Sequence, residues 1–108
     1  MTLATTPEPP YVAVIFTSLR TDGDNGYDVM SRRMNDLVRQ QPGFLGVDSA
    51  RENVGITVSY WIDEQSAAAW KQVSEHTIAQ ERGKSAWYSD YEVRIATVTR
   101  AYSGPTRG

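Results

Sequence analysis

Residues 60–91, YWIDEQSAAAWKQVSEHTIAQERGKSAWYSDY, carry all three tryptophans and the single histidine of the chain. The stretch opens on a strand end at Tyr60, Trp61 and Ile62 and passes to a helix at Asp63. Asp63 is an N-cap signal, with Ser66 standing where a capping box would carry Glu or Gln. The spacing predicts a helix to about Arg82, ended by Gly83. An aromatic knot of Trp87, Tyr88 and Tyr91 then leads into a last strand over Tyr91–Tyr102. That strand sets Tyr91, Val93 and Ile95 on one face and Glu92 and Arg94 on the other.

Working outward, Gly55–Ile62 alternates Ile56, Val58, Tyr60 and Ile62 against Thr57, Ser59 and Trp61. A turn near Asn53 joins it to Phe44–Glu52, so the two form an antiparallel hairpin. Before the hairpin, Tyr27, Met30, Met34, Leu37, Val38 and Gln41 recur at helical spacing. Tyr27–Gln41 is therefore an amphipathic helix, capped by Asp24 or Asn25 and stopped by Pro42-Gly43. The first strand, Tyr11–Arg20, is apolar on both alternating sets and must be covered on both faces. The order β-α-β-β-α-β predicts an α+β, ferredoxin-like domain with two helices on one face of a four-stranded sheet. The other face needs a cover, and a second copy of the sheet is the simplest one, which predicts a homodimer.

With 108 residues the chain fits one domain, read as 11–102, between flexible segments at 1–10 and 103–108. A formal charge of -2 gives nucleic acid and anionic membrane nothing to pull on. The absence of cysteine excludes disulfides, thiolate chemistry and zinc–thiolate sites, and one histidine cannot build a His-rich metal site. Residues 1–10 are rich in Thr and Pro, with neither a basic start nor an apolar run, so a soluble cytoplasmic protein is expected. There is no nucleophile-elbow motif, and the glycines near Asp22 lack dinucleotide-binding spacing. Large flat side chains gathered around one imidazole suggest a pocket for a flat apolar ligand.

Tyr60-Trp61, Ala69-Trp70-Lys71, Glu75-His76, Ala79-Gln80, Gly83-Lys84, Trp87-Tyr88, Tyr91 and Arg94 form a pattern. Together with Asp24–Tyr27 and Pro42–Arg51, it resembles the antibiotic biosynthesis monooxygenase family. Within that family it is most similar to the branch grouped with heme-degrading monooxygenases, over roughly residues 11–102. The resemblance implies a dimeric α+β barrel with a pocket between the sheet and the second helix. It also implies one of two chemistries: cofactor-independent oxygenation of phenolic polycyclic compounds to quinones, or oxidative opening of heme. In the quinone-forming type an Asn, a Trp and a Tyr share the second helix. Trp70 stands at the Trp position, Ser66 where the Asn would be and His76 where the Tyr would be. In the heme type a Trp and a proximal His share that helix. Trp70 fits, His76 lies about one turn closer to it than expected, and the first strand holds no Asn.

Trp70 and His76 are the expected catalytic pair, with Trp61, Ser66, Val73, Phe16, Trp87 and Arg94 around the substrate. Six residues apart, Trp70 and His76 sit about 120° from each other on a straight helix, two shoulders of one broad wall. His76 is read as a partly exposed helix residue paired with Glu75, Gln80 or Glu81, as a base on a phenol, or as a heme ligand. Trp70 is core or catalyst; Trp61 lines the cavity or packs a dimer seam. Trp87 and Tyr88 cap the second helix or close the pocket mouth. Arg94 anchors an anion or pairs with Glu92 or Asp48. The expected function is a small monooxygenase acting on a flat aromatic or polycyclic metabolite with no bound cofactor and no metal. The alternatives are heme binding and degradation through His76, and a non-catalytic small-molecule binding module.

Overall fold

The strand expected to be covered on both faces, Tyr11–Arg20 (β1), lies inside a four-stranded antiparallel sheet. The computed structural model describes residues 2–24, 26–80 and 87–105. After β1 come Tyr27–Val38 (α1), Phe44–Arg51 (β2), Val54–Trp61 (β3), Glu64–Gln80 (α2) and Tyr88–Val98 (β4). The sheet order is β2-β3-β1-β4. Each helix carries the chain past one intervening strand, which makes this the α+β, ferredoxin-like fold that the alternation predicts.

Several boundaries move, each for a local reason. Helix α1 stops at Val38 rather than Gln41, because the chain ahead of Pro42 tightens into a last turn. There the Gln40 and Gln41 N–H groups donate to the Leu37 and Val38 carbonyls, at 3.2 and 3.1 Å. Gly26, at φ 84°, is the boundary residue at its start, yet Asp24 does the capping. The Asp24 carboxylate accepts the Gly26 and Asp28 N–H groups at 3.0 and 3.1 Å. For α2, Asp63 acts as expected: its Oδ1 accepts the Ser66 N–H at 2.8 Å, which holds the carboxyl below its ordinary pKa. The expected helix end near Arg82 and Gly83 lies outside the described residues.

Strand β4 starts at Tyr88 and ends at Val98, not at Tyr91 and Tyr102. Its last partner on β1 is Tyr11, and the two prolines before Tyr11 have no N–H to extend the ladder. Strand β2 ends at Arg51, because the Glu52 N–H turns back onto the Val54 carbonyl at 3.2 Å. Strand β3 ends at Trp61, since the Ile62 N–H bonds the Gly43 carbonyl at 2.8 Å instead of a strand.

The register places Val12, Val14, Phe16 and Ser18 of β1 on the helix-covered face, beside Trp61, Ser59, Thr57 and Gly55 of β3. At one end of this face Val12, Val38, Trp61 and Ala67 form a buried core, with Val14, Phe44 and Trp70 packed on it. On the opposite face Tyr11 meets Tyr60 edge-on, with ring centroids 5.8 Å apart. The Tyr60 hydroxyl donates to Asp48 Oδ2 at 3.0 Å, and the Ala4 N–H donates to Asp48 Oδ1 at 2.7 Å. Thr6 donates to the Tyr11 hydroxyl at 3.0 Å, so the N-terminal segment lies along this face. Leu19, Val54, Ile56 and Ile62 stay exposed.

Candidate functional site

Along β3 the helix-facing residues shrink from Trp61 through Ser59 and Thr57 to Gly55. Opposite them α2 presents Ala67 and Ala68, then Ser74. Small groups facing small groups cannot close the gap that the indoles hold open. A cavity of about 760 Å³ results between the sheet and the two helices, a size that suits a small organic ligand.

Trp70, half-buried, forms part of its wall and stacks on Trp61 at 6.1 Å and 24° between ring planes. Met30, Met34 and Val38 of α1, with Val93 and Ile95 of β4, make the sides apolar. A second aromatic group stands in the wall: Phe16 lies 5.2 Å from Tyr88 and 5.6 Å from Tyr91. Tyr27 meets Tyr88 edge-on at 5.9 Å and Trp87 at 6.3 Å. The Arg20 guanidinium sits 3.5 Å over the Tyr27 ring while its Nε donates to the Trp87 carbonyl at 2.9 Å. Burial, and then the neighbouring Tyr27 hydroxyl, push the Tyr88 hydroxyl well above the ordinary phenol range; the charges of Arg51 and Arg20 pull weakly the other way. Tyr88 is therefore a protonated hydrogen-bond donor at neutral pH.

Of the residues singled out in the sequence, Phe16, Trp70 and Trp87 line this cavity. Trp61 stands behind Trp70, fully buried, with its Nε1–H on Ser59 Oγ at 2.9 Å. It is core, neither cavity lining nor an exposed seam. Ser66 packs against Gly43 at the start of α2, and Val73 is half-buried; both fall outside the lining.

His76 is exposed and also outside the lining. The lining residues Glu64, Ala67, Ala68, Lys71, Ser74, Glu75 and Ile78 form one stripe of α2 at steps of three and four. One residue beyond Glu75, His76 is turned about 100° away from that stripe. The two shoulders expected of α2 are thus one, formed by Trp70.

Arg94 is exposed on the far face of β4, opposite Ile15. It cannot pair with Asp48, because β2 and β4 are opposite edges of the sheet, about 14 Å apart. Trp87 and Tyr88 join the aromatic group with Tyr27; the helix end that they were expected to cap lies outside the described residues.

Sequence reasoning missed Arg51. Its guanidinium lies over Gly55, its partner across the hairpin, where any Cβ would overlap it. From there it donates Nη2–H to the hydroxyl of buried Ser18 and Nη1–H to the Ser18 carbonyl at 3.4 Å. A long cation facing a glycine across a hairpin was the available signal. Among the described residues, no group of three or more His, Cys, Asp or Glu side chains is placed to hold a metal ion. No described helix is long and apolar enough to cross a membrane.

No family model matches the sequence. The uncharacterised protein YqjZ of Bacillus subtilis (strain 168) is 50% identical over 100 residues, covering 91% of this chain and 88% of that protein. The chain belongs to the YqjZ family. Part of this YqjZ-family chain also matches jasmonate monooxygenase ABM of Pyricularia oryzae, 36% identical over 69 residues. That match spans 55% of this chain and 32% of the fungal protein.

Among solved structures, SnoaB of Streptomyces nogalater, described as a cofactor-independent oxygenase, is similar with a TM-score of 0.65 at 16% identity. The alignment covers 91% of the YqjZ-family chain and all of SnoaB (100%). A Chloroflexus aurantiacus protein provisionally named an antibiotic biosynthesis monooxygenase has a TM-score of 0.64 at 15% identity, over 86% of this chain and 97% of that one. NE2512 of Nitrosomonas europaea, of unknown function, has a TM-score of 0.71 at 8% identity, over 93% and 100% of the two chains. At such identities the likeness is one of fold. It bears out the resemblance to the antibiotic biosynthesis monooxygenases read from the sequence.

Proposed function

We propose that this chain is a small monooxygenase that oxygenates a flat, apolar aromatic metabolite without a bound cofactor. The observation that carries the reading is the 760 Å³ cavity, with Trp70 in one part of its wall and the Phe16–Tyr88–Tyr91 group in another. The fold shared with SnoaB, and the partial match to a jasmonate monooxygenase, support oxygen chemistry. Such chemistry balances without an external reductant. A phenol that becomes a quinone gains one oxygen atom and loses two hydrogens, and the second atom of dioxygen leaves with those hydrogens as water. The substrate itself supplies the electrons.

The chain's part is to exclude water, orient the ring and take the phenol proton. In this reading Trp70 offers its indole face to the ring, and Tyr88 adds ring surface beside Phe16 and Tyr91. Glu75, exposed like His76 but on the stripe of α2 that lines the cavity, accepts the phenol proton in its place. Heme is a poor fit on the same ground: His76 does not face the cavity and so offers no axial ligand to a macrocycle seated there. The test is oxygen uptake with a panel of naphthols and hydroxyanthrones, with product mass. Turnover that adds one oxygen atom and is lost in Trp70→Ala supports the reading. Binding of panel members with no oxygen uptake favours a non-catalytic binding module.

The reading includes a homodimer. Leu19, Val54 and Ile56 are exposed on the face away from the helices, where a second sheet would cover them. Light scattering at micromolar concentration tests this, and a monomer mass would exclude it.

A further inference from the structure

We propose that Arg51 seats a planar oxyanion of the ligand, a carboxylate or an ionised enol, so that the substrate class is a flat apolar body with one anionic end. This rests on the reading of the cavity as the ligand site, and adds a binding residue and a charge to it.

Four observations carry it. First, among the described residues Arg51 is the charged side chain that the sheet contributes to the cavity lining; the strands add no carboxylate. The other charged groups, Glu64, Lys71 and Glu75, all come from α2 across the cavity. Second, the partners of Arg51 are the Ser18 hydroxyl and carbonyl, both neutral, and no described carboxylate is paired with it. A guanidinium has five N–H donors in a fork, so Ser18 occupies one side and leaves a planar edge for a second acceptor. Third, the group is held in place. Gly55 leaves room for it to lie across β3, and buried Ser18 fixes its far end, so little side-chain entropy is left to lose on binding. Fourth, it stands beside aromatic surface. Ser18 is paired with Tyr91 of β4, and the Arg51 charge reaches the Tyr88 hydroxyl. A ligand ring laid on Phe16, Tyr88 and Tyr91 would bring a ring-borne oxyanion to the guanidinium. For the oxygenation, the same contact would stabilise a phenolate, the electron-rich form that reacts with dioxygen.

The probes are 2-naphthoate and its neutral counterpart 2-naphthamide, titrated by calorimetry into native protein, Arg51→Gln, Gly55→Ala and Trp70→Ala. Native protein is expected to prefer the carboxylate by about ten-fold, as a charge-assisted hydrogen bond would give. Arg51→Gln should bring the two probes to within about two-fold while leaving the amide unchanged. Gly55→Ala keeps the charge but displaces the guanidinium, and should erase the preference as well. Trp70→Ala should weaken both probes together. Circular dichroism checks that each variant is folded. Equal binding of both probes to native protein overturns the anion seat and leaves the cavity reading standing. So does a preference that survives in both Arg51→Gln and Gly55→Ala. If neither probe binds native protein, the anion seat and the cavity reading fall together.

Discussion

Trp61→Phe separates a core tryptophan from a cavity tryptophan. Trp61 is fully buried, stacked 6.1 Å from Trp70 and edge-on to Phe44 at 5.7 Å, with its indole N–H on Ser59. Replacing it by Phe removes three things. The smaller ring leaves a void worth about 1 kcal/mol for some 40 Å³. The stack on Trp70 loses about 0.5–1 kcal/mol. The buried Ser59 hydroxyl loses its donor, at a cost of about 1–2 kcal/mol. Together these come to roughly 2.5–4 kcal/mol out of a typical 5–15, or a melting temperature lower by on the order of 10–20 °C. Urea denaturation followed by far-UV circular dichroism reads this, at one fixed protein concentration because the proposed dimer would make stability depend on it. Affinity for 2-naphthamide should change less than in Trp70→Ala, since Trp61 lies behind the wall. If Trp61→Phe lost under ~0.5 kcal/mol yet altered probe binding more than Trp70→Ala, the placement of Trp61 in the core would be wrong.

Three other outcomes follow from the same geometry. With a substrate in hand, Glu75→Gln should lower turnover at least ~10-fold while His76→Ala stays within ~two-fold of native; the reverse order would restore the proton role to His76. Burial, then the bond to Asp48, push the Tyr60 hydroxyl up to about 12. The fold thus holds this proton more tightly than the unfolded chain does, whose phenol titrates near ~10. Its contribution is fully present below about pH 10 and is lost as pH rises through about 12. Urea midpoints measured over that window should fall less steeply in Tyr60→Phe, and an unchanged slope would count against the contact. Gly43 sits at φ 81°, and a Cβ there would overlap Ser66 of α2. Gly43→Ala should cost about 1–3 kcal/mol by thermal melting without changing probe affinity, because the clash is outside the cavity.

The two-residue alternation in β1 and β3, with the three-to-four spacing in α1, was enough to give the fold, because those periods report which side of an element is covered. They do not report how far apart two covered surfaces stand. Trp61 and Phe16 both lie on the helix-covered face of the sheet, and nothing local to either one shows that Trp61 is sealed while Phe16 borders open space. That difference comes from volumes on separate elements: the diminishing series Trp61, Ser59, Thr57, Gly55 set against the alanines of α2. His76 was drawn to the site by its chemistry, but the stripe that includes Lys71, Ser74 and Glu75 turns it outward. Arg51 was passed over for the opposite reason. At the end of a hairpin an arginine reads as a solvated edge, and only the pairing with Gly55 lays it inward across the sheet to Ser18. A glycine directly across a hairpin from an arginine is therefore evidence about where a cation goes, as informative here as the tryptophans. It is also the kind of pair that a reading confined to one strand at a time cannot see.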